Sequence, residues 1–522
     1  MRLCLYIIVI VLMASCKKDA PNTTAAQVVN KAEERRTEGR QVFRESYRPQ
    51  YHFTPPAKWM NDPNGLLYHN GTYHLFYQYY PDDIVWGPMH WGHAVSKDLI
   101  QWEHKDVALF PDKLGYIFSG SAVMDTQNTS GLGSKENPPM IAIFTYHDPE
   151  GEKKGSTDFQ TQGIAYSLDE GDTWEKYEGN PVIGNEGIKD FRDPKVFWHD
   201  ATQKWVMLLV AGDHLKIYNS SNLTDWTYMS EFGKNQGAHG GVWECPDLFE
   251  LSVAGTHEKK WVLLISINPG APNGGSGTQY FVGEFDGTTF TSAQQEHKWV
   301  DWGTDNYAGV TYNGLADTNR TFIGWMSNWN YARDTPTEVW RSAMTLPRKL
   351  TLAKNTQGHY LKNYPIKAID EYTYDTVTHD TMKHNMSLSS ANFNEMRLDF
   401  TIPGELKDFQ LNFTNIEKNA LKVGYNKADN TFFIDRRKSG KVNFEPSFGA
   451  AVHKAPAIEK KSINTKFSIF MDESSIEFFV NDGETVLTDQ IFPDIPFTAL
   501  TFTSKEKSIA PLKVSKIRRI WD

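Results

Sequence analysis

Beyond Tyr51 the chain carries no long amphipathic helical period. Its apolar residues come in short, aromatic-rich runs, each cut off by Gly, Asn, Asp or Pro. Thr72-Tyr73-His74-Leu75-Phe76-Tyr77 and Lys204-Trp205-Val206-Met207-Leu208-Leu209-Val210 are of this kind, and such punctuation predicts short strands. That confines the fold to all-β architectures. A chain of 522 residues has room for about three domains, or two if one is a large all-β unit. A hydrophobic content of 39% with 23% charged residues is globular, and excludes disorder or multi-span membrane topology for the bulk of the chain. Lys+Arg 54 against Asp+Glu 64 leaves a net charge of −10, with no basic tract beyond short pairs. No nucleic-acid partner is therefore expected.

A weak repeat organises the first two thirds. Ser96-Lys97-Asp98-Leu99-Ile100-Gln101-Trp102 recurs as Ser220-Ser221-Asn222-Leu223-Thr224-Asp225-Trp226, with Ser167-Leu168-Asp169-Glu170-Gly171-Asp172-Thr173-Trp174 between them. The last of these resembles the Asp-box hairpin of sialidase-type propellers. In each segment the Asp or Asn is expected to cap the backbone amides of a turn, and the Trp to pack between adjacent sheets. Recurrence at roughly 50 to 70 residues is the scale of one four-stranded blade, so a β-propeller is the leading architecture and a sandwich array its rival. After Leu346-Pro347-Arg348-Lys349-Leu350 the texture changes to clean alternation, as in Met396-Arg397-Leu398-Asp399-Phe400-Thr401-Ile402. Asn481-Asp482-Gly483-Glu484 adds a hairpin signal. A second all-β domain, a β-sandwich, is expected from about residue 366.

The first 46 residues stand apart. An apolar run from Leu3 to Ala14 follows Arg2, is too short to span a bilayer as a stable helix, and ends in Met13-Ala14-Ser15-Cys16. Residues 1–15 therefore read as a signal peptide. Small residues before a cysteine resemble a bacterial lipobox, with Met13 where Leu is usual, so Cys16 is the expected lipidation site and first mature residue. Residues 16–46 are polar and read as a tether. Acyl chains on Cys16 would hold the protein to a membrane without a spanning segment. The expectation is export across the inner membrane and a lipid anchor, at the outer membrane, on its periplasmic or cell-surface face. A plain secretory signal and an uncleaved anchor are the alternatives. With Cys4, Cys16 and Cys245 the only cysteines, no disulfide framework is possible.

Three acids occupy unusual local settings: Asp62 in Trp59-Met60-Asn61-Asp62-Pro63-Asn64-Gly65, Asp193 in Phe191-Arg192-Asp193-Pro194, and Glu244 in Trp243-Glu244-Cys245-Pro246-Asp247. Asp-Pro and Asn-Gly are ordinary turn formers, so each motif alone reads as a solvated turn. Together, each acid lies near a proline and among aromatic residues, a pattern suited to holding a carboxylate rigidly at the edge of a partly apolar cavity. The three blocks, in this order, resemble the signature blocks of glycoside hydrolase family 32, the β-fructosidases (invertases, inulinases and levanases). Phe76-Tyr77-Gln78, His90-Trp91-Gly92-His93-Ala94, Phe118-Ser119-Gly120-Ser121 and Gly324-Trp325-Met326-Ser327-Asn328-Trp329 extend the resemblance, which covers residues 47–522.

The resemblance implies a five-bladed β-propeller catalytic domain over residues 47–365 and a C-terminal β-sandwich over 366–522. It implies that Asp62 is the nucleophile, Glu244 the general acid/base and Asp193 the transition-state stabiliser of a retaining reaction on a fructofuranosyl unit. Asn61, Gln78, Trp86, Phe118 and Ser119 match positions lining the fructose subsite, and Arg192, Trp325 and Trp329 join them as substrate-binding candidates. Neither cofactor nor metal is expected. His90 and His93 invite a metal reading but lack the further ligands that zinc requires, and Cys245 has no His partner to make it a nucleophile. The segment from Trp325 to Arg348 looks more like exo-acting fructanases than sucrose-phosphate hydrolases. The expected activity is exo-release of fructose from levan or inulin, with some action on sucrose. An endo-levanase, a fructosyltransferase and a catalytically idle fructan-binding lipoprotein remain open, as does the oligomeric state.

Overall fold

Five antiparallel sheets succeed one another along the chain, and their first strands pack against one another in a closed ring. The computed structural model describes residues 43–458, 464–505, 508–509 and 511–521. The leader, Cys16 and the tether up to residue 42 lie outside the described residues. The inner strands of blades I to V are Lys58–His69, Tyr116–Met124, Phe191–His199, Val242–Ser252 and Tyr307–Thr311. Three further strands complete blade I (Thr72–Tyr80, His90–Ser96 and Trp102–His104), and parallel pairing of Lys58 and Trp59 with Trp340 and Arg341 brings a later segment of the chain to its inner edge. Strands inside the ring are covered on both faces, which is why they read as unbroken apolar runs: Met140–His147 is buried at every residue.

The three repeats close the outer hairpins of blades I to III, and the chemistry is local. Asp98 Oδ1 accepts from the amides of Ile100 and Gln101 at 2.9 Å each, and Ser96 Oγ accepts from Leu99 at 2.7 Å. Asn222 and Ser220 hold Asp225 and Leu223 in the same way. These bonds stabilise a left-handed residue in each turn, Leu99 at φ 69° and Leu223 at φ 66°. Trp174 packs its edge on Phe76 of blade I at 5.5 Å, so the repeat tryptophan bridges neighbouring blades.

The last propeller strand ends at Pro365, and a short 3₁₀ turn over Lys367–Tyr372 leads to two six-stranded sheets. Between them lies a core of Leu398, Phe400, Leu411, Phe467, Phe478 and their neighbours. Met396–Pro403 and Phe409–Thr414 alternate strictly between buried and half-buried or exposed residues, as strands with one wet face must. Ser475–Val480 and Thr485–Gln490 do not alternate; both are buried throughout because the propeller covers their second face. That seam is ionic. Arg348 donates to Asp301 at 2.8 Å and to Glu477 at 2.6 Å, and Arg436 donates to Asp305 at 2.6 Å. His52 lies between Asp472 at 2.7 Å and Glu477 at 2.8 Å. All these side chains are essentially inaccessible.

Candidate active site

Every inner strand breaks its register near its starting end, and the breaks are where the chemistry-bearing residues sit. Pairing skips between Met60 and Pro63, Ile117 and Gly120, Arg192 and Lys195, Glu244 and Asp247, and Tyr307 and Val310. A β-bulge re-aims a side chain that regular pleating would direct into the sheet packing. Proline, which cannot donate to the ladder, is tolerated there, which accounts for Pro63, Pro194 and Pro246 beside the acids. The backbone is strained at three of these breaks, with Asp193 at φ 64°, Cys245 at φ 46° and Ala308 at φ 53°. Each such residue costs about 1–3 kcal/mol and persists because the surrounding ring over-determines it.

The bulges bring Asp62, Asp193 and Glu244 to a single cavity of about 430 Å³, also lined by Asn61, Gln78, Trp86, Phe118, Ser119, Arg192 and Trp329. Asp62 accepts from Ser119 Oγ at 2.6 Å, Asn61 Nδ2 at 3.0 Å and Cys245 Sγ at 3.5 Å. Its pKa is raised by burial and by the charge of Glu244, while the three donors oppose the shift. Asn61 is itself fixed by Trp59 Nε1 at 2.8 Å. Gln78 spends its amide nitrogen on Asn64 Oδ1 and the Ile117 carbonyl, so it offers the pocket its carbonyl oxygen.

Glu244 is gripped at both oxygens. Arg192 donates to Oε1 from Nη2 at 2.9 Å and Nε at 3.2 Å, and the Tyr307 hydroxyl donates to Oε2. Burial and the neighbouring Glu244 raise the Tyr307 pKa well above the phenol value, keeping the donor proton in place. Arg192 also binds Asp190 at 2.7 Å. Asp193 is only 5% exposed and receives the Cys245 amide at 3.0 Å. Burial pushes its pKa up to about 7; Arg192 opposes this, and Glu244 and Asp62 add to it. The cluster therefore keeps a proton in play near neutral pH. Two carboxylates facing one cavity beside a third, partly protonated one can act as nucleophile, proton donor and hydroxyl ligand on a sugar.

Trp86 stands edge-on to Phe118 at 5.9 Å, and Trp329 stacks on Trp59 at 5.9 Å, giving the cavity two aromatic walls. Trp325 departs from the sequence reading. It is fully buried behind Trp329, at 4.9 Å, and does not line the pocket; it belongs to the wholly buried strand Thr321–Met326, whereas Trp329 sits in the turn that follows. His90 and His93 are not neighbours in a site: His90 bonds the Pro88 carbonyl at 2.9 Å, while His93 meets His74 at 3.1 Å in the core. Among the described residues no group of three or more His, Cys, Asp or Glu could hold a metal ion. Burial, with Asp193, Asp62 and Glu244 nearby, raises the Cys245 pKa well above the thiol value, so the group is a weak donor and not a thiolate.

Sequence reasoning missed Tyr307, Asp190, His147 and Arg333. Tyr307-Ala308-Gly309 carried a signal in hindsight, an aromatic followed by two small residues where the other inner strands bulge. His147 stacks on Phe118 at 4.2 Å and the Arg333 guanidinium lies over Trp329 at 5.9 Å, both at the cavity wall; no local motif marks either.

The model of the glycosyl hydrolases family 32 N-terminal domain matches residues 52–365, and that of the family 32 C-terminal domain matches residues 367–518. The chain is 48% identical to the levanase of Bacillus subtilis over 495 residues, covering 92% of this chain and 72% of that one. It is 43% identical to an extracellular exo-inulinase of Aspergillus niger, over 92% and 96% of the two chains. The crystal structure of the exo-inulinase from Aspergillus awamori superposes with a TM-score of 0.84 at 40% identity, over 92% of this chain and 100% of that one. Both domains of the chain, the propeller with its carboxylate-lined pocket and the sandwich behind it, thus belong to glycosyl hydrolase family 32.

Proposed function

We propose that this glycoside hydrolase removes fructose from the ends of levan or inulin, acts less readily on sucrose, and retains configuration at the anomeric carbon. The observation that carries this is the meeting of Asp62, Asp193 and Glu244 at one aromatic-walled pocket. Asp62 attacks C2 of the terminal fructofuranosyl unit; the Asp62–C2 bond forms as the bond from C2 to the glycosidic oxygen breaks. Glu244 gives its proton to that oxygen, and the shortened chain leaves. Water then adds to C2 from the vacated side, passes a proton to Glu244, and displaces the Asp62 carboxylate. Asp193 binds ring hydroxyls, most strongly as the sugar flattens toward its oxocarbenium-like transition state.

Asn61 and Ser119 hold the nucleophile and Gln78 reads a sugar hydroxyl with its carbonyl oxygen, while Trp86, Phe118 and Trp329 cover the apolar face of the sugar. Arg192 and Tyr307 fix the plane of the Glu244 carboxyl, which keeps the proton on the line of the leaving group. Support for fructan over other fructosides comes from the levanase and exo-inulinase relatives. The test is a product time course of the protein on levan, inulin and sucrose in parallel. Fructose alone from the first time points is expected. Early oligosaccharides would make the enzyme an endo-levanase, longer products would make it a transferase, and polymer binding without any product would favour an idle lipoprotein.

The N-terminal features support a second element of the proposal. Cleavage before Cys16 and acylation of its thiol and amine would anchor the enzyme to the outer membrane through a short polar tether. Metabolic labelling with a fatty acid tests it: label is expected in the wild type and absent from Cys16→Ala, which should fractionate as a soluble protein. Unlabelled wild-type protein would refute the anchor.

A further inference from the structure

The five inner strands run away from the catalytic pocket and end around a second recess, at Tyr68, Val123, Trp198, Phe249 and Asn313. Its volume is about 630 Å³, against about 430 Å³ for the pocket. The six residue steps from Asp62 to Tyr68 span at most roughly 20 Å, which separates the two openings. The axis between them is closed. Lys195 crosses it, its Nζ donating to the Thr311 carbonyl at 2.7 Å and pairing with Asp247 at 3.2 Å. The space left beside this side chain is about 10 Å³, too little for more than a single water.

The recess repeats the recognition chemistry of the pocket without its reactive part. Half-buried rings of Tyr68, Phe197, Trp198 and Trp261 face it. Arg320 lies over the Phe249 ring at 5.1 Å and binds Asp317 at 3.2 Å. Its Nε has no hydrogen-bond partner, although the side chain is only 12% exposed. An arginine N–H beside a carboxylate oxygen presents the donor and acceptor that adjacent sugar hydroxyls need, as Arg192 and Asp190 do in the pocket. Rings supply planes for apolar sugar faces. Missing is a pair of buried, uncompensated carboxylates: Asp200 is exposed, Asp317 is bound to Arg320, and Glu250 is tied to Lys259 at 2.6 Å. These acids also disfavour an anionic ligand.

We infer that this recess is a second, non-catalytic site for a neutral oligofructoside segment of the polymer. The inference rests on the polymer-degrading activity proposed above. A long chain, or a branch of it, held at the far end of the propeller raises the effective concentration of chain ends at the pocket, while sucrose is too short to engage both.

The test combines kinetics and binding on the full protein. Trp198→Ala and, separately, Asp317→Ala should leave kcat/KM for sucrose unchanged and raise KM for levan or inulin about 3–10-fold. Unchanged sucrose turnover certifies the fold. Asp317 is 57% exposed at the rim, so its variant carries the prediction even if Trp198→Ala is unstable. In an Asp62→Ala background, calorimetric titration with inulin oligosaccharides should give two binding events, and one after Asp317→Ala is added. Equal polymer KM in wild type and both variants, or a single binding event in both backgrounds, would overturn the second site. Failure of the wild type to release fructose from either polymer would instead refute the underlying fructanase reading, which the product assay registers independently.

Discussion

The catalytic pocket and the propeller–sandwich seam use the same buried acids and arginines and treat charge in opposite ways. In the seam the buried carboxylates have cationic partners: Asp301 and Glu477 share Arg348, Asp305 holds Arg436, and Asp472 and Glu477 flank His52. Burial alone would raise the Glu477 pKa, yet Arg348 and His52 outweigh it and the carboxyl is held below its usual value. In the pocket Glu244 is ion-paired with Arg192, which is already bound to Asp190, while Asp62 and Asp193 have no ion pair of their own among the described residues, and Asp193 retains its proton to about pH 7. Full pairing makes a joint between domains; incomplete pairing leaves protons and electron pairs available to a substrate.

The largest effect should separate the two regions outright. Asp62→Ala or Glu244→Gln is expected to lower kcat by about 10⁴-fold or more while the melting temperature holds or rises, because a buried, poorly compensated charge has been removed. A melting temperature lowered as far as by a seam mutation would erase the contrast. Next in size, Arg348→Met strands Asp301 and Glu477 in the seam and should cost about 3–5 kcal/mol in denaturant unfolding. A loss under about 1 kcal/mol, the value of an exposed pair, would contradict the seam's role.

Each region should also carry a stability contribution that declines as pH rises, in its own window. Asp193 binds its proton more tightly in the folded chain than at its ordinary value of 3.8, so the stability it lends is complete below that pH and is lost as pH rises through about 7. Asp193→Asn should therefore gain about 1–3 kcal/mol relative to wild type at pH 8.5, and nothing at pH 4. His52 shows the smallest effect. Burial would lower its pKa, but bonds to Asp472 and Glu477 raise it to about 9. Its contribution is complete below the ordinary 6.5 and fades as pH rises through 9. Wild-type stability should fall by about 1–2 kcal/mol from this group between pH 7 and 10, and His52→Gln should flatten that slope.

The contrast also explains what the sequence disclosed. Features whose physics is local were legible: the Ser-x-Asp turns cap themselves within a few residues, and Asp62, Asp193 and Glu244 carry their bulge prolines beside them. Blade IV escaped notice because Asp286 caps Thr288 and Thr289 at 2.8 and 2.7 Å but Phe290 stands where the other hairpins have Trp. The seam was illegible because its partners are far apart in the chain; His52 and Asp472 are 420 residues apart. Trp325 was misjudged for a related reason. Trp325 and Trp329 belong to one motif, but Trp325 lies inside the strand Thr321–Met326 and Trp329 in the turn beyond it, and only the folded chain shows which of them reaches the pocket.

Asp62 is the residue expected to form the covalent intermediate. Glu244→Ala treated with an aryl β-fructofuranoside, whose leaving group needs no proton, lacks the base for the second step and should accumulate the fructosyl-enzyme. Peptide mapping by mass spectrometry after an acid quench should place one fructosyl residue on Asp62; its attachment to Asp193 or to any other residue would contradict the mechanism.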